Sequence, residues 1–260
     1  MLRPLVTRLV LTLVLLAPVA IRAAAPDPAV AQGKRVLFVF NQTDLEKAKA
    51  AVPAVPARIE AKQTQRNNDT KLAAYLGSLG FIVTATDEFS PAALAAGHDL
   101  ILISETVSAV EIGPKYRDTP VPLVTFENDL LGDLGMTADK IGRDWETEPG
   151  LRFLRIVNAP HPLAAGLAAG NQNVLASDHF KMSWGRPVLG GGATIIATFR
   201  GEPEKAAIFA YEKGATLAHD RLAPARRVMF FLDADAFEQL RPEGLALLRA
   251  ALLWAVSRPE

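Results

Sequence analysis

From residue 35 onward, unbroken apolar runs alternate with stretches in which apolar positions recur every three or four residues. Arg35-Val36-Leu37-Phe38-Val39-Phe40 shows no polar alternation, the pattern of a strand covered on both faces. Phe81–Thr86 reads as a second strand, and Asp99–Ser104 and Val121–Phe126 as further buried ones. Between the first two, Leu72, Leu76 and Leu79 stand at i, i+4 and i+7 and predict a helix, with Asn67-Asn68-Asp69 placed to cap it and Gly80 placed to end it. Residues 45–66, Ala- and charge-rich with Pro53 and Pro56, predict an insertion of broken helix, and Ser90-Pro91 opens a short helix to Ala96. Strands alternating with helices argue for right-handed parallel crossovers and a doubly wound α/β sheet.

Past Gly150 the pattern changes. Leu151–Val157, Ala193–Phe199, Ala206–Tyr211 and Arg227–Leu232 read as strands joined by short Gly- and Pro-containing connections, which predicts some antiparallel pairing. The last run is apolar from Val228 to Leu232 and is expected at the sheet centre. A closing helix begins at Pro242, with Leu245, Leu248, Leu252 and Val256 on one face. No internal repeat or linker interrupts the chain, so one domain over residues 32–260 is expected.

Residues 1–31 differ in kind. Arg3 and Arg8 precede the apolar run Leu9–Ala20, which suits a signal-peptide core and falls short of the roughly 20 residues a membrane span needs. Small residues follow, as Ala23-Ala24-Ala25 and as Ala29-Val30-Ala31. Cleavage is expected between residues 20 and 31, giving an exported protein, periplasmic or extracellular, with no stable membrane span once the leader is gone. An uncleaved anchor is the alternative.

Composition narrows the chemistry. The chain has 28 basic and 28 acidic residues, and losing Arg3, Arg8 and Arg22 with the leader leaves the mature protein slightly acidic. No basic stripe is present to neutralise phosphates, so nucleic acid is not an expected partner. There is no cysteine, which excludes thiolate nucleophiles, disulfides and Cys-zinc sites. The sequence also lacks H-E-x-x-H and G-x-S-x-G, and Gly190-Gly191-Gly192 lacks the Lys-Ser/Thr of a phosphate loop. Glu127, Asp129 and Asp133 lack calcium-loop spacing. Neither a metal nor a cofactor is implied.

Chemistry in open α/β sheets sits outside the carboxyl ends of the strands. Thr119-Pro120-Val121-Pro122-Leu123-Val124-Thr125-Phe126 leads to Glu127, making it the first candidate. A carboxyl there is partly desolvated, which raises its pKa and suits proton transfer or ligand binding. Its other reading is a carboxylate that accepts backbone amides and fixes the turn. Asn41, Ser104 and Asp233 are expected at neighbouring strand ends, as ligand-binding partners of Glu127 or as caps of the following turns. His161, between Pro160 and Pro162, is a candidate catalytic group that titrates near neutrality, or a turn residue bonded to backbone. Trp145 and Trp184, in stretches that read as loops, are candidates for stacking on a sugar or anchoring those loops.

The order of these pieces resembles the class I glutamine amidotransferase-like superfamily, specifically its ThuA-like (trehalose-utilisation) branch and secreted bacterial relatives. The resemblance rests on Val36–Asn41, Asp99–Ser104, Val121–Glu127 with Leu134-Gly135-Met136-Thr137, His161–Leu167, Ala206–Gly214 and Leu253-Trp254-Ala255. It implies a flavodoxin-like three-layer α/β sandwich, mostly parallel at its centre. In the amidotransferases the turn after the strand matching Val121–Phe126 presents a catalytic cysteine; here that turn carries Glu127. A carboxylate does not replace a thiolate in amide hydrolysis without a redesigned site, so glutaminase activity is not expected. The branch's name links it to sugars by association alone.

Three functions are compatible with these readings. The leading one is a non-amidotransferase domain that binds a small polar ligand, with carbohydrate as the suggested class. The others are a sugar-modifying or hydrolytic enzyme using Glu127 as acid/base, and a non-catalytic interaction or scaffold domain.

Overall fold

The computed structural model describes residues 25–188 and 191–257. The leader features on residues 1–24 lie outside the described residues. Pro28–Ala31 is a 3₁₀ turn capped by Asp27, and its Ala31 is fully buried.

The core of the sheet is β1 (Arg35–Val39), β2 (Ile82–Thr86), β3 (Leu100–Ile103), β4 (Leu123–Thr125) and β11 (Arg227–Phe230), in the order β2-β1-β3-β4-β11. All four pairings in this set are parallel. That is the flavodoxin-like strand order, with β11 in fifth place and the direction of winding reversing between β1 and β3. Beyond β11 the sheet continues antiparallel through β10 (Glu202–Tyr211), β9 (Ala193–Phe199), β6 (Phe153–Ile156) and β7 (Gly170–Asn173). A ribbon of β5 (Trp145–Pro149) and β8 (Lys181–Gly185) joins the edge of β10. The protein is therefore α/β, with parallel strands at the core and antiparallel ones in the C-terminal half, as the sequence predicts.

The unbroken apolar runs follow from burial on two sides. Val36 and Phe38 of β1 pack into one layer with Leu72 and Leu76 of α2 (Pro56–Ser78) and Leu247, Leu248 and Leu252 of α4 (Pro242–Val256). Leu37 and Val39 point the other way, onto Ile112 of α3 (Ala109–Ile112), Tyr116, Leu130 and Leu134. Side-chain period two thus divides one strand between two cores. Each fully buried Leu, Val or Phe contributes about 1.5–3 kcal/mol relative to exposure, so a polar residue at 36–39 would disrupt one core or the other.

Three sequence expectations are corrected. The helix assigned from Asn67 begins at Pro56 and runs unbroken to Ser78, because Pro56 suits a first turn and good helix formers follow it. Asn67, Asn68 and Asp69 lie inside this helix and do not cap it. The preceding segment is a separate short helix, α1 (Asp44–Ala50). The helix expected after Pro91 is one 3₁₀ turn, Ala92–Ala95. Trp145 and Trp184 belong to β5 and β8, not to loops. Their side chains are buried, with Trp145 Nε1 donating to Asp129 Oδ1 at 3.1 Å.

Candidate functional site

Parallel strands bring their carboxyl ends to one edge of the sheet. Asn41 lies just past β1, Ser104 and Glu105 directly after β3, Glu127 after β4 and Asp233 after β11. A cavity of about 550 Å³ opens where β1 and β3 diverge, the crevice position expected of this topology. Seven carboxyl side chains and two lysines line it.

One oxygen of Glu127 fixes the turn that follows β4. Its amide donates to Thr125 Oγ1 at 3.1 Å, and its Oε1 accepts the Asp129 amide at 2.9 Å, which caps the 3₁₀ turn Asn128–Leu130. Among the described residues Oε2 has no hydrogen-bond partner, and the residue lines the cavity while only 6% exposed. Burial pushes its pKa up to about 8; the Asp129 amide opposes the rise, and the charges of Asp129 and Asp233 add to it.

Glu105, which is not among the residues singled out from the sequence, is shifted further. Burial, then the neighbouring Asp233 and Glu127 charges, push it up to about 9. Asp233 rises to about 6, mainly by burial and then through Asp235. At neutral pH, two wall carboxyls thus hold protons while Asp233 nearby is mostly ionised, which separates the proton affinities of neighbouring groups. The strand-end argument that selects Ser104 reaches Glu105 one residue later, so the signal for it is present in the sequence. Glu88, Glu111 and Glu146 also line the cavity, from a loop, a short helix and a ribbon that carry no such signal.

The other candidates occupy different places. Asn41 is fully engaged: Nδ2 donates to Glu88 Oε1 at 2.7 Å, and Oδ1 accepts the amides of Thr43 and Asp44 at 3.1 and 2.8 Å. It borders the cavity and caps the start of α1. Ser104 does not line the cavity. Its Oγ donates to Asp69 Oδ1 at 2.6 Å, and Thr106 Oγ1 donates to Oδ2 of the same carboxylate at 2.8 Å. Burial raises Asp69 to about 6 against these two bonds. Asp233 also lies outside the cavity wall and acts on Glu105 and Glu127 through its charge.

His161 is not brought to this site. Its Nδ1 accepts the Leu163 amide at 3.2 Å, its ring centroid is 5.5 Å from that of Trp254, and burial lowers its pKa. Arg226 stacks on the same Trp254 at 4.2 Å. Arg226 precedes β11 whereas Glu127 follows β4, and these strands run parallel with Arg227 opposite Leu123. His161 therefore sits at the opposite end of the sheet from Glu127, as a turn residue bonded to backbone. Trp145 and Trp184 are likewise absent from the cavity wall. Among the described residues no three His, Asp or Glu side chains are grouped to hold a metal ion.

No family model matches the chain, and no curated protein matches it. Solved structures do resemble it. One, described as a GMP synthase component from Thermoplasma acidophilum, is 9% identical with a TM-score of 0.48, covering 85% of this chain and 94% of that one. A ThuA-like protein from Bacteroides uniformis is 13% identical with a TM-score of 0.46, covering 91% and 94%. The N-terminal domain of mmIFT52 is 10% identical with a TM-score of 0.41, covering 86% and 98%. At these identities the likeness concerns the path of the chain alone.

Proposed function

We propose that this chain is an exported, non-amidotransferase domain that binds a small polar ligand in the cavity at the ends of β1, β3 and β4. One observation carries the reading: Glu127 is almost wholly buried in the wall, with one oxygen fixed by the turn and the other without a partner among the described residues. A desolvated carboxyl in that state gains from a ligand that satisfies it. Carbohydrate is the class the sequence resemblance suggests, and a protonated Glu127 would donate a hydrogen bond to a hydroxyl. The buried Ala31 favours leader cleavage upstream of Pro28, within the window of residues 20–31.

Thermal-shift and calorimetric screening of the mature chain against mono- and disaccharides tests the reading. A saturable ligand whose affinity falls in Glu127→Gln supports it. Binding unaffected by that substitution, or no ligand across sugars, amines and other small polar compounds, overturns it.

A second reading is favoured by the separated proton affinities of Glu105, Glu127 and Asp233. In it the domain turns over a sugar derivative with Glu127 as acid/base. A Glu127→Gln variant that binds the screened ligand and loses turnover supports catalysis, whereas unchanged turnover removes Glu127 from that role.

A further inference from the structure

We propose that the cavity takes an organic cation carrying at least one ammonium group, the chemistry shared by polyamines and amino sugars. This rests on the ligand-binding reading above and narrows its ligand.

The wall is rich in carboxyls that its own lysines do not reach. Lys47 and Lys62 both approach Asp44, at 3.6 and 3.3 Å. The remaining wall carboxyls, Glu88, Glu105, Glu111, Glu127, Asp129 and Glu146, make no salt bridge among the described residues. They come from the segments after β2, β3 and β4, from α3 and from β5, so they surround the space from several sides. An anionic ligand would find both wall lysines already drawn to Asp44. A neutral sugar would bring no charge to the wall, whereas an ammonium group beside Glu105 and Glu127, which burial keeps protonated in the empty cavity, would favour their ionised form.

Glu88 supplies a second, independent observation. It is 1% exposed and lies in the cavity wall. Its Oε1 accepts Asn41 Nδ2, but its buried Oε2 has no partner among the described residues. Lys115 reaches the main-chain carbonyls of Glu88 and Ser90 without forming a salt bridge to the carboxylate. Burial raises the Glu88 pKa. A buried, half-satisfied carboxyl is costly on its own, and a charge-assisted bond from an ammonium group relieves it. A single metal ion does not fit, because no three of these groups converge. Dispersed carboxyls in about 550 Å³ suit an ammonium group carried on a polar body, or several joined by spacers.

Calorimetric titration of the mature chain with spermidine, glucosamine, glucose and calcium chloride is the test. Saturable spermidine or glucosamine binding that weakens with added salt is expected. Spermidine the tighter of the two indicates a polyamine site; glucosamine the tighter, with glucose inert, indicates an amino-sugar site. Glu88→Gln should weaken the preferred amine about tenfold or more, the loss of one charged hydrogen bond. Should that variant not fold, the rim pair Glu111→Gln and Glu146→Gln keeps the test valid, with a combined loss of about three- to tenfold. Glucose binding as tightly as glucosamine overturns the cation requirement and leaves the ligand site standing. Calcium binding tighter than either amine, amine binding indifferent to all these substitutions, or no binding by either amine overturns the proposal.

Discussion

Ser104 Oγ donates to Asp69 Oδ1 at 2.6 Å, joining the end of β3 to the middle of α2. With Thr106 Oγ1 on the other oxygen, one buried carboxylate holds the helix against the strand edge that frames the cavity. Asp69→Ala leaves two buried hydroxyls without their acceptor and should cost about 2–4 kcal/mol, read as a lower urea midpoint. Asp69→Asn keeps one acceptor and should lose less. Equal losses would show that the carboxylate's charge, not its bonding pattern, matters.

Glu127 predicts a pH dependence of stability. Below its unfolded value of 4.5 the side chain is protonated in both states, and its burial carries no ionisation penalty. As pH rises toward 8, the unfolded chain ionises while the folded chain retains the proton, so stability falls; Glu105 extends the decline to about 9. Glu127→Gln should therefore gain stability over the wild type above pH 8, by about 1–3 kcal/mol, and gain little below 4.5. Thermal melts across that range would expose the error if the difference did not grow with pH.

Two helical glycines should respond oppositely to alanine. A Cβ on Gly77 in α2 meets nothing within 4 Å, so Gly77→Ala should stabilise by about 0.5–1 kcal/mol. On Gly244 in α4 it would stand 2.5 Å from the Val174 carbonyl oxygen and 2.8 Å from Leu240 Cδ2. Backbone cannot yield cheaply there, and overpacking of about 1–3 kcal/mol outweighs the helix-propensity gain. A raised melting temperature for Gly244→Ala would refute this.

Arg227 is fully buried, and its guanidinium donates to the carbonyls of Val121, Arg226, Arg117 and Thr119 at 3.1, 3.1, 3.2 and 2.7 Å. It fixes the segment leading into β4 and hence where Glu127 emerges. Arg227→Ala should destabilise by about 3–5 kcal/mol in chemical unfolding. Arg227→Lys should recover only part of that, because one ammonium group cannot span carbonyls placed for a planar fork.

The parallel strands are readable from the sequence because burial on both faces leaves continuous apolar runs, as at Val36–Val39 and Leu100–Ile103. Helix boundaries are less so. Asn67-Asn68-Asp69 has the chemistry of a cap, but Asn68 Oδ1 accepts the Glu238 amide and Asp69 reaches Ser104 and Thr106, so tertiary partners hold them in mid-helix. The ribbon escapes sequence reading because β5 is mostly polar, although Met182 and Trp184 do alternate along β8. Glu127 can be found from the strand preceding it. The opposite wall cannot, since Glu88, Glu111 and Glu146 reach the cavity from a loop, a short helix and the ribbon.

That ribbon gives the cavity a second foundation beside the parallel strands. Glu105 and Glu127 are rooted in the parallel sheet, whereas Glu146 and Thr147 ride on β5, whose strand neighbour is β8. Lengthening or shortening the connections of β5 and β8 would therefore resize the chamber while its floor stays put, and selectivity could drift without disturbing the sheet that supports it.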